Sequence, residues 1–379
     1  MIGYRVSCVC CDTYDPADVR KALEETLAHL NVSLKPGMRV LIKPNLMSPV
    51  KPARAITTHP TILEELCKIL KAAGAEILIG ESAFYNTDQA FGVCNIAPLS
   101  RYAKIINFDT EPTRIVPFEG KVGAVPLPEI LFQADFIINV AKMKTHGLTG
   151  VTLCVKNLYG CIPGAVKQGY HKTLPNPRSF SRFLIGLHRE IKPQLNIIDG
   201  VVGLEGEGPG ASGHPIASGL IVAGTSAFAT DIVAAEMMGF KPEQIYTNRY
   251  SGIRRTEIET VGSGREVRKS FKKPLSANFP YLIYFAGLLP RSRIHFTPER
   301  CVECGLCGGK CPAGAISFHP GPECDHQRCI LCYCCMEVCP HSAVYLREHW
   351  IRRRLRDIAK TLLQVKRAAA GSMRRTFDE

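Results

Sequence analysis

Eight cysteines towards the C-terminal end constrain this chain more than any other feature. They form two runs of identical spacing, Cys301, Cys304, Cys307, Cys311 and then Cys329, Cys332, Cys335, Cys339, each reading CxxCxxCxxxC and each followed by a proline, Pro312 and Pro340. This is the bacterial ferredoxin spacing, in which three thiolates of one run hold three irons of a cubane and the fourth crosses to the other cubane. One [4Fe-4S] cluster is therefore expected on Cys301, Cys304, Cys307 and Cys339, and a second on Cys329, Cys332, Cys335 and Cys311. Sharing ligands in this way interlocks both runs in one small α+β unit. A zinc ribbon needs only paired CxxC and would leave the third cysteine of each run and both prolines without a role. Disulfides fit worse still, because the cysteines number 17, which is odd, and no secretory signal precedes them. A reducing, cytoplasmic setting is expected.

With 379 residues, 46% of them hydrophobic, the chain can bury one large core and add a satellite held together by its clusters. The longest apolar stretches, such as Tyr281 to Leu289, fall short of the ~20 residues that a membrane-spanning helix needs. The net charge of +13 is uneven: after His349, nine lysines and arginines face only Asp357, Asp378 and Glu379. Ile351, Leu355, Ile358, Leu362 and Val365 recur there at helical spacing, which predicts a basic amphipathic helix. Its apolar stripe either packs back on the body or docks on an acidic partner or an anionic lipid surface. Nucleic acid is disfavoured, since a lone Trp350 offers no aromatic interleaving for base stacking.

Residues 1–270 alternate β-branched runs with helical segments, as an α/β domain with a largely parallel sheet requires. Strands are predicted at Arg5 to Val9, Arg39 to Lys43, Glu76 to Ile79, Phe136 to Val140, Leu195 to Ile198 and Leu220 to Ala223. Helices are predicted at Ala17 to Leu30, Thr61 to Ala73, Pro177 to Glu190 and Ala227 to Met238, with Thr225 and Ser226 as cap candidates for the last. Residues 271–297 read as an apolar and basic connector, 298–348 as the two-cluster unit and 349–379 as the basic helix and tail.

Three segments lie where strands should end, the usual place for ligand chemistry in open α/β sheets. They are Lys43-Pro44-Asn45, Gly80-Glu81-Ser82 and Ala141 to Gly147, the last followed by Lys156-Asn157, Lys167, His171 and Lys172. Lys43, Asn45, Lys142, Lys144, Lys156 and Asn157 are candidates to bind a small anionic substrate, with His146 and His171 as the catalytic candidates for proton delivery. A solvated basic loop explains the same residues. Asp199, Glu205 and Glu207, in a glycine-rich run, could hold Mg²⁺ or another divalent cation through oxygen ligands, or could simply form a surface loop. Gly208 to Gly213 matches GxGxxG but opens no helix, which rejects a dinucleotide-binding fingerprint, and no GxxxxGK[ST] loop exists, which disfavours ATP-driven chemistry of that type. Cys8, Cys10 and Cys11 lie together at the end of the first strand and read as small hydrophobes rather than as a third metal site. Cys324 and Cys334 fall outside the repeat. His59 either caps the helix that follows it or reaches the sheet edge.

Lys43-Pro44-Asn45, Thr58-His59-Pro60, Lys142 to His146 with Lys156-Asn157 and Gly160, the Gly208-Pro209 pair and the run Cys329 to Pro340 follow in an order that resembles domain of unknown function (DUF) family 362, fused to a bacterial-type ferredoxin domain. The resemblance implies a cytoplasmic iron-sulfur protein and names no substrate. Two functional classes follow from these readings. One is an iron-sulfur oxidoreductase passing single electrons to or from an anion bound by the α/β domain; the other is a non-enzymatic electron carrier or assembly factor docking on a redox partner protein. A concave site favours the first and a flat face the second.

Overall fold

The computed structural model describes residues 3–84, 86–164, 166–274, 292–351 and 354. β-Branched runs form strands β1 (Tyr4–Cys10), β2 (Arg39–Lys43), β3 (Glu76–Glu81), β4 (Lys104–Asn107), β5 (Thr113–Phe118), β6 (Gly123–Pro128), β7 (Phe136–His146), β8 (Gly150–Thr152), β9 (Leu195–Gly206), β10 (Gly213–Gly224) and β11 (Ile258–Val261). β5 and β6 pair with each other; the others form one sheet in the order β11-β1-β10-β9-β7-β2-β3-β4, with β8 on β7. β2 is parallel to β3 and to β7, β7 to β9, β3 to β4 and β1 to β11, while β10 is antiparallel to both its neighbours. The fold is α/β with a mostly parallel mixed sheet.

Both faces of the sheet are covered, which is why β2 reads RVLIK and β3 EILIGE with almost no alternation. Val40, Ile42, Ile77 and Ile79 enter one core with Leu63 and Leu66 of the helix Pro60–Ala72. Leu41 and Leu78 enter the opposite core with Phe180 and Leu184 of the helix Pro177–Ile191. Side chains start these helices: His59 accepts from the Thr61 amide at 3.3 Å, Asn176 from Ser179 at 2.9 Å and Ser226 from Ala229 at 3.3 Å. From β2 the chain proceeds outward through β3 to β4, then returns to the other side of β2 as β7. The carboxyl ends of β2 and β7 thus flank a switch point in the topology, where a crevice forms.

Two segments expected to be loops are strand. β7 continues to His146 and carries the whole lysine-histidine segment, and β9 continues through Asp199 to Gly206, then folds back as β10. The glycines there serve close approach rather than flexibility: a Cβ on Gly200 would lie 2.9 Å from the Leu220 carbonyl oxygen, and one on Gly203 2.7 Å from Phe271.

The cysteine-rich unit adds β12 (Arg293–Phe296), β13 (Ile316–Phe318), β14 (Pro322–Cys324) and β15 (Val344–Arg347), with β12 antiparallel to β15 and β13 to β14. It opens at Arg293, inside the segment expected as connector, because a four-residue strand is needed there to close the unit against β15. Phe271, in the same segment, is buried in the front core. The basic amphipathic helix lies almost wholly outside the described residues. The unit is docked firmly: Tyr333 packs into both its own core and the front one, and Phe84 of the front domain packs on the unit. The β9–β10 tip braces it, with Ser342 Oγ donating to the Ala211 carbonyl at 2.7 Å and Gly210 so close that a Cβ would meet the Glu337 backbone at 2.9 Å.

Candidate functional site

At the switch point the strand ends converge on a cleft of about 60 Å³. Lys43 and Asn45 reach it from the end of β2, Glu81 and Ser82 from β3, Lys144 from β7 and Thr152 from β8; Lys156, Asn157, Tyr159, Gly160, Lys167 and His171 complete it, and Glu337 of the cysteine-rich unit forms one wall. The chain enters the short helix Cys154–Asn157 over Asp231, whose buried carboxylate accepts from the Cys154 and Val155 amides at 2.7 and 3.0 Å and so fixes where Lys156 and Asn157 point. An asparagine ladder then sets the floor: Asn45 Nδ2 donates to Asn157 Oδ1 at 2.8 Å, Asn157 Nδ2 to Asn139 Oδ1 at 2.8 Å and Asn139 Nδ2 to Asn196 Oδ1 at 2.9 Å. Lys144 Nζ donates to Asn45 Oδ1 at 2.8 Å and the Ile56 carbonyl at 2.7 Å, while Lys43 is ion-paired with Glu81. Lys167 donates to the Ser82 carbonyl, and Lys156 lies over the rings of Tyr159 (4.5 Å) and Phe180 (5.7 Å).

Four lysines against two glutamates make the cleft cationic, and burial tunes Lys144, Lys156, Lys167, Glu81 and Glu337. Lys144 is drawn down to about 7 by burial, with the neighbouring Lys156 adding to the fall. Burial brings Lys167 to about 8 against the opposing pull of Glu81, and it also lowers Lys156. Glu81 and Glu337 are pushed above the usual carboxylate range by the same desolvation. His171 is lowered to about 3 and His146 well below its ordinary value, so both imidazoles are neutral near pH 7. The Leu148 and Thr149 amides donate to His146 Nδ1 at 3.0 and 3.4 Å, which assigns the proton to Nε2, 3.5 Å from Glu337 Oε1.

The candidates from sequence divide. Lys43, Asn45, Lys144, Lys156, Asn157 and His171 share the cleft, and His146 meets it through Glu337. Lys142 does not join them: its Nζ donates to Asp199 Oδ2 at 2.8 Å and lies 2.7 Å from the hydroxyl of Tyr14, which stacks on His59 at 3.6 Å. Asp199 also accepts from Tyr14 and from the His59 amide, both at 2.8 Å, so its oxygens are engaged. Glu205 accepts from the Lys272 amide at 2.8 Å and faces its ammonium at 3.5 Å. The expected grouping of Asp199, Glu205 and Glu207 around a divalent cation is thus answered by internal hydrogen bonds and ion pairs at its first two members.

In the cysteine-rich unit the two runs repeat each other's backbone. Glu303 and Gly305 adopt φ of 51° and 72°, and their equivalents Leu331 and Tyr333 adopt 52° and 65°; Gly314 and Ser342 match at 56° and 53°. The Ala315 amide donates to Cys311 Sγ at 3.2 Å, as the Ala343 amide does to Cys339 Sγ at 3.3 Å. Cys307 is raised to about 11 by burial and then by Cys339 and Cys304 beside it, and Cys335 is raised by burial and by Cys332, Cys329, Cys311 and Cys307. Such gathered thiols, with amides aimed at sulfur, are the donor set a four-iron cluster requires. Residues 294–317 match the 4Fe-4S binding domain, and residues 40–236 match the family described as Domain of unknown function (DUF362). The chain belongs to the DUF362 family. Its 4Fe-4S domain gives it an iron-sulfur, electron-transfer role.

This DUF362 chain is 30% identical over 229 residues to the "Thylakoid-associated protein sll1697" of Synechocystis sp. (strain ATCC 27184 / PCC 6803 / Kazusa), across 60% of the chain and 71% of that protein. It is similar at 17% identity and a TM-score of 0.36 to the lactate racemase apoprotein from Thermoanaerobacterium thermosaccharolyticum, covering 52% of this chain and about half (49%) of that one, a likeness too slight to bear on activity. Among the described residues no helix is long and apolar enough to cross a membrane. Several cleft residues of the DUF362 chain carried no assignment from sequence. Glu81 and Lys167 stood in segments already noted, but nothing local shows that Glu81 neutralises Lys43. Glu337 was hidden inside the second cysteine run, where a single acidic residue between cluster ligands was the available signal.

Proposed function

We propose that this protein is a cytoplasmic iron-sulfur oxidoreductase that exchanges single electrons with a small anion held in the lysine cleft. The observation that carries this reading is the shared wall: Glu337 lies between Cys335 and Cys339 in sequence and lines the cleft, and Cys332 and Cys334 act electrostatically on Tyr159, a residue of the same cleft. The matched backbone of the two runs supports two clusters, one on Cys301, Cys304, Cys307 and Cys339 and one on Cys329, Cys332, Cys335 and Cys311, the latter nearer the cleft. When bound, such clusters supply electrons one at a time.

The remaining work falls to side chains. Lys156 and Lys144 offer positive charge to the anion, and Asn45 and Asn157 keep these groups in register. With both imidazoles neutral, proton delivery near pH 7 passes from the histidines to Lys144 and Lys167, whose acidity burial has brought into that range. His146 Nε2 lies 3.5 Å from Glu337 Oε1, beyond a formed hydrogen bond, so the imidazole lines the approach to that wall. A concave site favours this reading over a flat docking face. The test is reductive titration without oxygen, followed by addition of a low-molecular-weight cell fraction. Reoxidation of the reduced protein, lost in Lys144→Met, is expected; reoxidation by a protein fraction alone would refute the enzyme reading.

A further inference from the structure

The cleft contains polar groups whose own structure leaves them unmatched. Thr152 Oγ1 and His171 Nδ1, like Glu337 Oε1, are buried, line the cleft and have no hydrogen-bond partner among the described residues. Thr152 and His171 are only 4% and 1% exposed. A buried hydroxyl or imidazole nitrogen left unpaired costs about 1–3 kcal/mol, so such groups mark places where something else binds. Lys156 adds a charge in the same position. Lys43 has Glu81, Lys144 has Asn45 and the Ile56 carbonyl, and Lys167 has the Ser82 carbonyl, whereas Lys156 contacts ring faces. It and Glu337 face each other without closing to an ion pair.

Size and charge then select the ligand. The cleft's volume of about 60 Å³ accommodates the few non-hydrogen atoms of a small ion. Lys156, opposed by Glu337 without an ion pair, has room for one further negative charge. Glu81 and Glu337 in the same walls would repel a second, so a phosphate dianion is a poor fit. We infer that the cleft is a built subsite for a planar monoanion of about three or four non-hydrogen atoms, a small carboxylate or a nitrogen oxyanion, with its charge on Lys156 and its oxygens on Thr152 Oγ1 and the Nδ1–H of His171.

This assignment deepens the redox reading and rests on the same cleft, but its test needs no electron transfer. The iron-loaded full chain is titrated calorimetrically under argon, at pH 7 and fixed ionic strength, with formate, acetate, nitrate and inorganic phosphate in turn. At least one of the three planar monoanions is expected to bind, with phosphate at least tenfold weaker. Lys156→Met should weaken that monoanion at least tenfold, and Thr152→Val, nearly isosteric and safe for folding, severalfold. Phosphate binding as tightly as the monoanions, unchanged affinity in both variants, or no binding of any planar anion would each overturn the assignment. A protein that is reoxidised by a small-molecule fraction yet binds none of these anions would lose the subsite and keep the redox role; one that binds them as expected and exchanges no electrons would do the reverse.

Discussion

The substitution Gly160→Ala tests whether the buried Lys43–Glu81 pair is the keystone of the cleft. Gly160 needs no unusual backbone angle, so the effect of a methyl group there is purely one of space. Its Cβ would fall 2.1 Å from Glu81 Oε1 and 2.6 Å from Lys43 Nζ, where contacts under 3.0 Å essentially never occur. The carboxylate would have to retreat by roughly 1.3 Å or more to regain an ordinary van der Waals distance. It has no room to do so and keep its partners, since it accepts from the Ser82 amide at 3.0 Å as well as from Lys43, and both charged residues are only 1% exposed. Breaking a buried pair costs about 3–5 kcal/mol because each charge is left uncompensated, more than the 1–3 kcal/mol of simple overpacking. A loss of about 3 kcal/mol is therefore expected in urea unfolding followed by far-ultraviolet circular dichroism under argon. Gly169→Ala is the control: it sits exposed in the helix Val166–Thr173 with nothing within 4 Å, and should be neutral or up to about 1 kcal/mol stabilising. Wild-type stability in Gly160→Ala, within about 0.5 kcal/mol, would refute the reasoning, because surface changes alone produce shifts of that size.

Other outcomes follow from the same geometry. Because burial lowers His171 from 6.5 to about 3, its contribution is fully present above pH 6.5 and is lost as the pH falls; between pH 6.5 and 5 wild type should lose about 2 kcal/mol more than His171→Gln, measured by denaturant titration at each pH. Asp231→Ala strands the Cys154 and Val155 amides and should cost about 2–4 kcal/mol, while the iron content stays unchanged because the cysteine-rich unit is not touched. Cys335→Ser should halve the iron of the anaerobically reconstituted chain, from about eight atoms to about four, whereas a drop to none would show that one half of the unit cannot fold without the other.

Much of the architecture was legible because it rests on local signals. β2 was predicted at its observed bounds, and the helices near 16–29, 60–72, 177–191 and 227–237 fell within a residue or two of expectation, since periodicity and N-cap residues are short-range features. The misreadings share one cause. Lysine, histidine and glycine are rare in strand interiors, so the lysine-histidine segment of β7 and the glycine-rich part of β9 read as loops. Their polar side chains are tolerated in strands only because partners from distant segments meet them: Asn45 and Ile56 for Lys144, Asp199 and Tyr14 for Lys142. No sequence window contains those partners.

That same point separates two lysines that sequence could not tell apart. Lys142 and Lys144 lie two residues apart on one strand, are equally buried at 1% exposure and were equally good candidates for an anion. Asp199 gives Lys142 a carboxylate at 2.8 Å, so its charge is balanced within the protein, whereas Lys144 is hydrogen-bonded by neutral acceptors beside Lys156 and feels Glu337 without forming an ion pair. Burial lowers both lysines, against the pull of Asp199 at Lys142, and it draws Lys144, beside the like charge of Lys156, down to about 7, within range of proton exchange at neutral pH. Lys142→Met should therefore act on stability, by leaving Asp199 buried and unpaired, and Lys144→Met on anion affinity and turnover. An anion affinity that falls in Lys142→Met but not in Lys144→Met would reverse that assignment and move the site across β7 to the Tyr14–His59 stack.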